Sequence, residues 1–380
     1  MPPRRALVCI AVHHPLMRPR PVFDLDIQGR KVRLGERTLI MGAVNVTPDS
    51  FSDGGLYLDP TRAVEHGLEL VRQGADWIDV GGESTRPGSR PIAAEEELRR
   101  VLPVIRGLRR ELRSTPISID TTKAEVAEQA AQAGASILND VSGLRFDPRL
   151  ADVARRCKTP LILMHLRGRP ETMQTRPFVR DIWQSLDRGL ACSLERALAA
   201  GLRKSQLIID PGLGFGKSRS QNFEILAHLR RLQRFGLPIL VGTSRKSFVQ
   251  AIAVGADLHA VASQRSKRKG GPAAYWPMMQ SFETHPVIPA KAGIHRVGEG
   301  LDSRFRGNDW KVRGNDWKEA PTLQLGDAAA VVASILGGAH IVRVHDVAAV
   351  LPAVRIADAV LTASRREQGI GSRELLVNCE

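Results

Sequence analysis

Short apolar runs alternate with longer amphipathic stretches along most of this chain. The runs are often β-branched and end in polar residues, and most lead into a stretch rich in Ala, Leu, Glu and Arg with apolar residues at helical spacing. The runs predict buried strands and the stretches predict helices. Eight runs follow the pattern: 38–45, 76–82, 116–120, 136–140, 160–165, 206–210, 238–243 and 340–345.

This alternation predicts a fold of the α/β class. Near-continuous apolar strands separated by helices indicate a parallel sheet whose outer face is covered by those helices. Eight such strands close most naturally into a (β/α)8 TIM barrel, and a doubly wound open sheet is the alternative. We expect the barrel to occupy residues 36–366, between an N-terminal extension (1–35) and a C-terminal tail (367–380).

The spacing of the runs is interrupted once, before the last one. The gap between the seventh and eighth runs is more than twice any other, and within it the segment 260–322 has neither strand nor helix periodicity. It contains a basic cluster, scattered prolines and a repeated Arg-Gly-Asn-Asp-Trp-Lys sequence, and part of it resembles peptides translated from bacterial intergenic repeat elements. We expect a flexible insertion that the barrel tolerates, because lengthening a loop adds little closure entropy.

The amino-acid composition excludes several classes of protein. Apolar residues make up 43% of the chain, which is enough for a full core and excludes a disordered or fibrous protein. Aromatic residues make up only 4%, whereas Gly and Ala are plentiful, a balance that argues against an all-β fold. The four cysteines lie far apart without a C-x-x-C pair, so neither a disulfide framework nor a zinc ribbon is indicated.

Several features favour a cytoplasmic protein without a membrane partner. Widely spaced cysteines fit a reducing compartment. No apolar run approaches the roughly 18 residues that a membrane-spanning helix needs, and the apolar stretch at 6–12 is short for a secretory signal. The formal net charge of +15 is compatible with nucleic acid, a membrane surface or an anionic small substrate, and does not choose among them.

Polar residues collect where the predicted strands end. In a barrel these ends meet at one rim, which is the catalytic face. A single strand-end Asp or His is often structural, but so many on one rim exceed what helix capping needs. The positions are Asn45, 83–86, Asp120, 139–140, His165, Asp210, 244–246 and 343–346.

Two groups on this rim suggest an anionic substrate with a polar ring. Donors suited to phosphate follow the last two strands, where barrels usually bind phosphate, and Arg343 and His345 alternate so that both point to one face. Acceptors at Asp120, Asn139 and Asp210 could hold the paired N–H donors of an aminopyrimidinone ring. The glycine-rich loops 45–55 and 81–88 are typical of lids that close over a substrate.

Two other kinds of site match poorly. In the segment 210–218, Pro211 stands where a phosphate-binding P-loop needs glycine, and the dinucleotide pattern lacks its third glycine. His165 and His345 have no third ligand at metal-site spacing. We therefore expect neither a nucleotide site nor zinc.

Five motifs together resemble those of the bacterial dihydropteroate synthase family, in order and on the expected strands. Related pterin-binding barrels, such as methyltetrahydrofolate-dependent methyltransferases, share the fold and the pterin acceptors but not the whole set. The resemblance extends over about 36–366 apart from the insertion. The motifs lie at 45–55, 79–88, 210–217, 242–247 and 343–346.

The resemblance implies a reaction and a set of site residues. The enzyme would condense 6-hydroxymethyl-7,8-dihydropterin diphosphate with 4-aminobenzoate, giving 7,8-dihydropteroate and pyrophosphate in folate biosynthesis. Mg²⁺ would be the cofactor, and the protein would be a homodimer and a sulfonamide target. The motifs assign Asn45 to the metal, Arg343 and His345 to the diphosphate, Asp120, Asn139, Asp210 and Lys246 to the pterin, and Thr85, Arg86, Pro87, Phe215 and Ser247 to 4-aminobenzoate, with Asp120, Lys246 and Arg86 as catalytic residues.

A nucleic-acid-binding protein that has kept the barrel is the rival interpretation. The basic residues of the insertion, with Tyr275, Trp310 and Trp317, could bind a backbone and stack bases. Most of the net charge of +15 lies outside the insertion, however. We therefore expect small-molecule substrates rather than nucleic acid as partners.

Overall fold

A β-hairpin precedes eight parallel strands in this chain. The computed structural model describes residues 19–47, 59–253 and 321–374, with side chains described up to 364. The predicted insertion 260–322 therefore lies outside the described residues, except for its last two positions. The strands are β1 (Phe23–Ile27), β2 (Arg30–Leu34), β3 (Leu39–Asn45), β4 (Trp77–Gly81), β5 (Ile117–Asp120), β6 (Ile137–Asp140), β7 (Leu161–Met164), β8 (Leu207–Asp210), β9 (Leu240–Gly242) and β10 (Ile341–Val344).

The eight strands from β3 to β10 form one closed sheet. Their order is β8-β7-β6-β5-β4-β3-β10-β9, and every neighbouring pair is parallel. A parallel bridge between Ile209 and Ile239 joins the two ends of this order, at the junction of β8 and β9. The (β/α)8 TIM barrel predicted from the apolar runs is confirmed, and the open sheet is excluded.

Helices follow the strands and cover the outside of the barrel. The glycines at 74, 134, 201 and 236 end helical segments with φ between 64° and 118°, a left-handed backbone that glycine adopts without strain. Helix starts are also capped by side chains, as at Asp181, which accepts from the backbone N–H of Gln184 at 2.9 Å. The helices are α1 (Pro60–Arg72), α2 (Ala94–Glu111), α3 (Ala124–Ala133), α4 (Leu150–Cys157), α5 (Ile182–Ala199), α6 (Arg219–Ala227), α7 (Ser247–Ala253), α8 (Pro321–Leu336) and α9 (Val347–Glu374).

The hairpin β1–β2 closes the end of the barrel opposite the strand ends that carry the predicted site. Gln28 and Gly29 form its two-residue turn, both with positive φ, which suits the twist of a tight hairpin. The apolar face of the hairpin packs on residues at the amino ends of the barrel strands. This second apolar cluster contains Leu25, Ile27, Leu34, Leu39, Met41, Trp77, Ile137, Ile162, Ile208, Leu240 and Ile341. The hairpin lies within the segment 1–35, for which the sequence pattern gave no strand prediction.

Helix α9 corrects the expectation that no apolar run reaches membrane length. Its stretch Val347–Ser364 has 18 residues and a mean hydropathy of 1.6, so by length and composition alone it could cross a membrane. One face of this stretch nevertheless belongs to the main core, through buried residues at helical spacing. Those residues are Val347, Val350, Val354, Ala357 and Leu361.

Candidate active site

The predicted site residues lie at the carboxyl ends of the barrel strands or in the loops that follow. Asn45, Asp120 and Asp210 are the last residues of their strands, and Asn139 and Arg343 are the next to last of theirs. The remaining predicted site residues are in loops or at the start of a helix. In the second lid loop, Thr85 is half-buried whereas Arg86 and Pro87 are exposed. The first lid loop lies largely outside the described residues, which resume at Asp59.

Arg343 links two carboxylates across the interior of the barrel. Its Nε donates to Oδ2 of Asp79 at 2.6 Å, and its Nη2 donates to Oδ2 of Asp120 at 3.2 Å. Burial alone would lower the pKa of Arg343, but the two carboxylates raise it. Burial and the Asp79 charge raise the pKa of Asp120, against the opposing charge of Arg343. The guanidinium therefore stays charged and joins β10 to β4 and β5, across the intervening strand β3.

Asp79 is a site residue that the sequence assignment missed. It is fully buried in β4, and its Oδ2 also accepts from Nδ2 of Asn139 at 3.0 Å. This hydrogen bond turns the amide so that Oδ1 of Asn139 remains to accept an N–H from a ligand. The signal was present in the sequence, because Asp79 is the one charged residue of an otherwise apolar strand.

Asp210, at the end of β8, and Lys217, in the loop that follows, have different roles. Burial raises the pKa of Asp210 to about 6, and its Oδ1 accepts from the backbone N–H of Gly212 at 2.6 Å. Lys217 is buried, and its Nζ donates to three backbone carbonyls, those of His165, Gly212 and Phe215, at 2.8 to 3.0 Å. Lys217 thus holds the loop in place, whereas Asp210 keeps Oδ2 and the second lone pair of Oδ1 for a ligand.

Lys246 lies above the Phe215 ring, beside the same loop. Its Nζ is 4.2 Å from the ring centroid, a cation–π distance. Burial lowers the pKa of Lys246 to about 8, and the charge of Arg343 acts in the same direction. A side-chain carbon at Gly214, which has φ of +84°, would lie 3.2 Å from Cδ of Lys246. The glycine therefore leaves room for the lysine to reach the centre of the rim.

His345 lies beside Lys246 in a cluster of cations. Burial lowers its pKa well below the usual value, and the charges of Arg245, Arg343 and Lys246 lower it further. Its Nδ1 is 3.4 Å from Oγ of Ser244. An anion at this corner would be attracted by the same charges that disfavour a protonated His345.

A cavity of about 350 Å³ opens beside this network. Asp120 and Thr85 line it, together with polar residues of the loops after β5, β6 and β7. Lys123 supports one wall by pairing with Glu83 and with the buried Glu97. Of the five predicted aminobenzoate contacts, only Thr85 lines this cavity. Arg86 and Pro87 are exposed in the loop after β4, and Phe215 and Ser247 lie on the β8–β9 side of the rim.

Comparison with known proteins identifies the family of this chain. Residues 41–275 match the family model described as pterin binding enzyme. A curated dihydropteroate synthase of Escherichia coli is 34% identical over 329 residues, which is 87% of this chain and 94% of that protein. The chain belongs to the dihydropteroate synthase family. A second dihydropteroate synthase, from Synechocystis, is 47% identical over 218 residues, which is 57% of this chain and 75% of that protein.

Solved dihydropteroate synthases share the fold. A structure from Yersinia pestis, in complex with a sulfonamide drug, has a TM-score of 0.66 and 33% identity, covering 90% of this chain and all of that one (100%). A structure from Xanthomonas albilineans, with 4-aminobenzoic acid, has a TM-score of 0.66 and 36% identity, covering 90% of this chain and 98% of that one. The family predicted from the five motifs is confirmed.

Proposed function

We propose that this chain condenses 6-hydroxymethyl-7,8-dihydropterin diphosphate with 4-aminobenzoate to give 7,8-dihydropteroate and pyrophosphate. The observation that carries the proposal is the Arg343 network, which unites acceptors for a pterin with cations for a diphosphate on one rim of a dihydropteroate synthase barrel. Relatives supply the substrate chemistry, since structures from Xanthomonas albilineans contain 4-aminobenzoic acid and 7,8-dihydropteroate.

The pterin is recognised by acceptors that face its N–H groups. The ionised Asp210 accepts two parallel hydrogen bonds from the aminopyrimidinone edge, and Oδ1 of Asn139 accepts from a further N–H. Asp120 lies on the adjacent strand, where its bond to Arg343 keeps it oriented. Lys246 donates to the carbonyl oxygen of the ring, from its position above Phe215.

The diphosphate is bound by donors at the ends of β9 and β10. Arg343 and Lys246 contact its oxygens as cations. His345, whose pKa burial and these charges lower in the free protein, takes up a proton beside the diphosphate and donates to it from Nε2. The amine nitrogen of 4-aminobenzoate attacks the pterin methylene carbon while the carbon–oxygen bond to the diphosphate breaks. Its electron pair leaves with pyrophosphate, and the amine proton passes to solvent. These cations stabilise the charge that develops on the leaving group.

The residues present fit a Mg²⁺ ion that binds together with the substrate. Asn45 offers an amide oxygen at the end of β3, and that side chain is only partly buried. Among the described residues, no cluster of three or more His, Cys, Asp or Glu side chains could hold a metal alone. Mg²⁺ suits such a place because it takes most of its ligands from phosphate oxygens and water. Bound there, it would neutralise the leaving pyrophosphate.

The aminobenzoate approaches from the outer side of the rim. Thr85 and Arg86 come from the second lid loop, and Phe215 and Ser247 come from the loops after β8 and β9. Closure of the loops would bring the two groups together around the amine substrate and exclude water. Sulfonamides would compete for this place, as the complex of the Yersinia pestis relative suggests.

The active form is a cytoplasmic homodimer. Helices α8 and α9 pack against each other and expose Leu325 and Ile356, at 70% and 66% of their surface. Large exposed apolar side chains on neighbouring helices are suited to a second copy of the chain. Light scattering of the purified protein gives the number of subunits, and a monomer at micromolar concentration would contradict the dimer.

Substrate analogues separate the two halves of the proposed site. Calorimetry should show that the diphosphate-free 6-hydroxymethyl-7,8-dihydropterin binds with or without Mg²⁺, because its contacts are with the acceptors. The diphosphate substrate should bind more tightly when Mg²⁺ is present. Equal affinity for both compounds, with no effect of Mg²⁺, would contradict the proposed diphosphate corner.

A further inference from the structure

Asp327 connects helix α8 to the loop that follows β9. The residue is 6% exposed, and it is the one charged residue of α8. Its Oδ2 accepts from Oγ of Ser244 at 3.0 Å, and both carboxylate oxygens accept from the backbone N–H of Arg245, at 3.0 and 3.2 Å. One carboxylate therefore receives the two donors of a single turn at the rim.

The hydroxyl of Ser244 links Asp327 to His345. A serine hydroxyl has one hydrogen, and in this turn the hydrogen is directed to the Asp327 carboxylate. The lone pairs of Ser244 Oγ are then left to accept from the backbone N–H and from Nδ1 of His345, each at 3.4 Å. Asp327 thus keeps a hydrogen on Nδ1 of His345 and turns Nε2 away from Ser244. From there Nε2 donates to a phosphate oxygen once the bound diphosphate stabilises the protonated ring.

The backbone of this turn also depends on Asp327. Arg245 has φ of +58°, a left-handed conformation that a residue with a side chain adopts at a cost. The bonds from its N–H to Asp327 compensate for that cost, and Lys246 is the next residue along the chain. The position of Lys246 above Phe215 is therefore set in part by a residue that is far away in sequence.

Close helix packing keeps Asp327 in place. A side-chain carbon at Gly326 would lie 2.7 Å from Cβ of Ala253, so α8 approaches α7 without room for a larger residue. The helices α7 and α8 lie on either side of residues 254–320 in the sequence. The contact between Asp327 and the turn therefore crosses the predicted insertion.

We propose that Asp327 is a positioning residue for the diphosphate corner, acting through Ser244 and the backbone of Arg245 to orient His345 and Lys246. The inference rests on the proposed function, because it presumes that these two residues contact the phosphorylated substrate. Asp327 itself makes no contact with the substrate. It gives the part of the chain beyond the insertion a direct role in the site.

Steady-state kinetics of Asp327→Asn test the proposal. The amide keeps one oxygen for the Arg245 N–H but places an NH₂ where Ser244 donates, so the Ser244 hydroxyl must reorient. We expect the KM for dihydropterin diphosphate to rise about tenfold, the effect of losing one charge-assisted hydrogen bond. The KM for 4-aminobenzoate should change less than about twofold. The affinity for the diphosphate-free dihydropterin should fall less than that for the diphosphate substrate, because Lys246 is the one dihydropterin contact that depends on Asp327.

A double variant identifies the route of the effect. If Asp327 acts through Ser244, combining Asp327→Asn with Ser244→Ala should raise the KM no further than the larger of the single effects. The matched control is Asp181→Asn, which alters an aspartate that accepts from a backbone N–H on α5. It should leave both KM values unchanged. Thermal unfolding of each variant shows that the fold is retained.

The outcomes separate this inference from the function on which it rests. An active wild-type chain, with a folded Asp327→Asn variant whose KM for the diphosphate substrate is unchanged, overturns the positioning role alone. An equal rise in the KM values for both substrates also overturns it, because such a result would mean that the substitution disturbs the whole rim. A wild-type chain that releases no pyrophosphate removes the proposed function and this inference together.

Discussion

Asp210 shows how burial prepares a single side chain for its ligand. The barrel interior raises the pKa of its carboxyl to about 6, while the positive charges of Lys246, Lys217 and Arg343 oppose the shift. Only the ionised form accepts two N–H groups at once, so the contact with the pterin is complete above this pKa. It is lost as the pH falls through it.

The affinity for the pterin should therefore depend on pH in one direction. We expect calorimetry with diphosphate-free dihydropterin to give weaker binding as the pH falls from about 7 to about 5. Asp210→Ala should lose roughly 2–5 kcal/mol of binding free energy at neutral pH, because it leaves buried donors unpaired. Asp210→Asn is the control, and it should bind weakly with no such pH dependence. A wild-type affinity that is constant over this range would contradict the role of Asp210.

Asp79 should matter for stability as well as for binding. Asp79→Ala leaves Nε of Arg343 and Nδ2 of Asn139 without their shared acceptor. We expect unfolding in urea to show a loss of about 3–5 kcal/mol, the range for removing one partner of a buried ion pair. Asp24→Asn, at an exposed position in β1, should stay within about 0.5 kcal/mol of the wild type. Equal stabilities of the two variants would show that Arg343 does not depend on Asp79.

The sequence predicts some kinds of site residue more readily than others. Residues at strand ends, such as Asp120 and Asp210, could be predicted because the barrel brings all its strand ends to one rim. Asp79 and Asp327 could not be assigned in this way, since each acts through a side chain that is distant in the sequence. A lone charge in an apolar strand or helix marks a buried partner but does not say which partner it meets.

At the scale of elements, the eight apolar runs predicted every barrel strand, because a strand buried on both faces has a strongly apolar sequence. The hairpin β1–β2 was missed for the opposite reason. Its residues alternate between buried and exposed over two runs of five, Phe23–Ile27 and Arg30–Leu34, with charges on the exposed positions. The apolar positions of this hairpin are covered because they pack on the amino ends of the barrel strands, a contact that exists only once the barrel has formed.

Packing of the hairpin should contribute measurably to folding. Leu25 and Leu34 are 1% and 0% exposed where they fill the end of the barrel. We expect Leu25→Ala and Leu34→Ala each to lower the free energy of unfolding by about 2–5 kcal/mol in urea. Leu198→Ala, at a position 42% exposed on α5, is the matched control and should cost far less. A hairpin variant as stable as this control would mean that β1–β2 does not seal the barrel.

At the scale of the whole molecule, the predicted insertion 260–322 is the main departure from a simple barrel that the sequence indicates. The chain continues from α7, which ends at Ala253, to α8, which begins at Pro321, and both helices pack on the same barrel. The E. coli relative aligns over 329 residues, and therefore on both sides of this segment. Attachment of the segment to helices rather than to a lid loop is the physical basis for expecting a tolerated insertion.

Removal of residues 260–320 should change catalysis little. The deletion spares the helix start at Pro321 and the Asp327 contacts. We expect turnover within a few-fold of the full chain, because shortening the connection between two helices changes mainly its closure entropy. A gain of about tenfold or more would show instead that the segment hinders the active site. A salt-sensitive binding of DNA that disappears with the deletion would favour the rival nucleic-acid interpretation.

Pyrophosphate release is the most direct test of the central claim. The full chain is incubated with dihydropterin diphosphate and Mg²⁺, with and without 4-aminobenzoate, and pyrophosphate is measured over time. The proposed function predicts release that requires both substrates and matches the amount of 7,8-dihydropteroate formed. The account is contradicted if the folded protein binds the dihydropterin diphosphate but releases no pyrophosphate when 4-aminobenzoate is added.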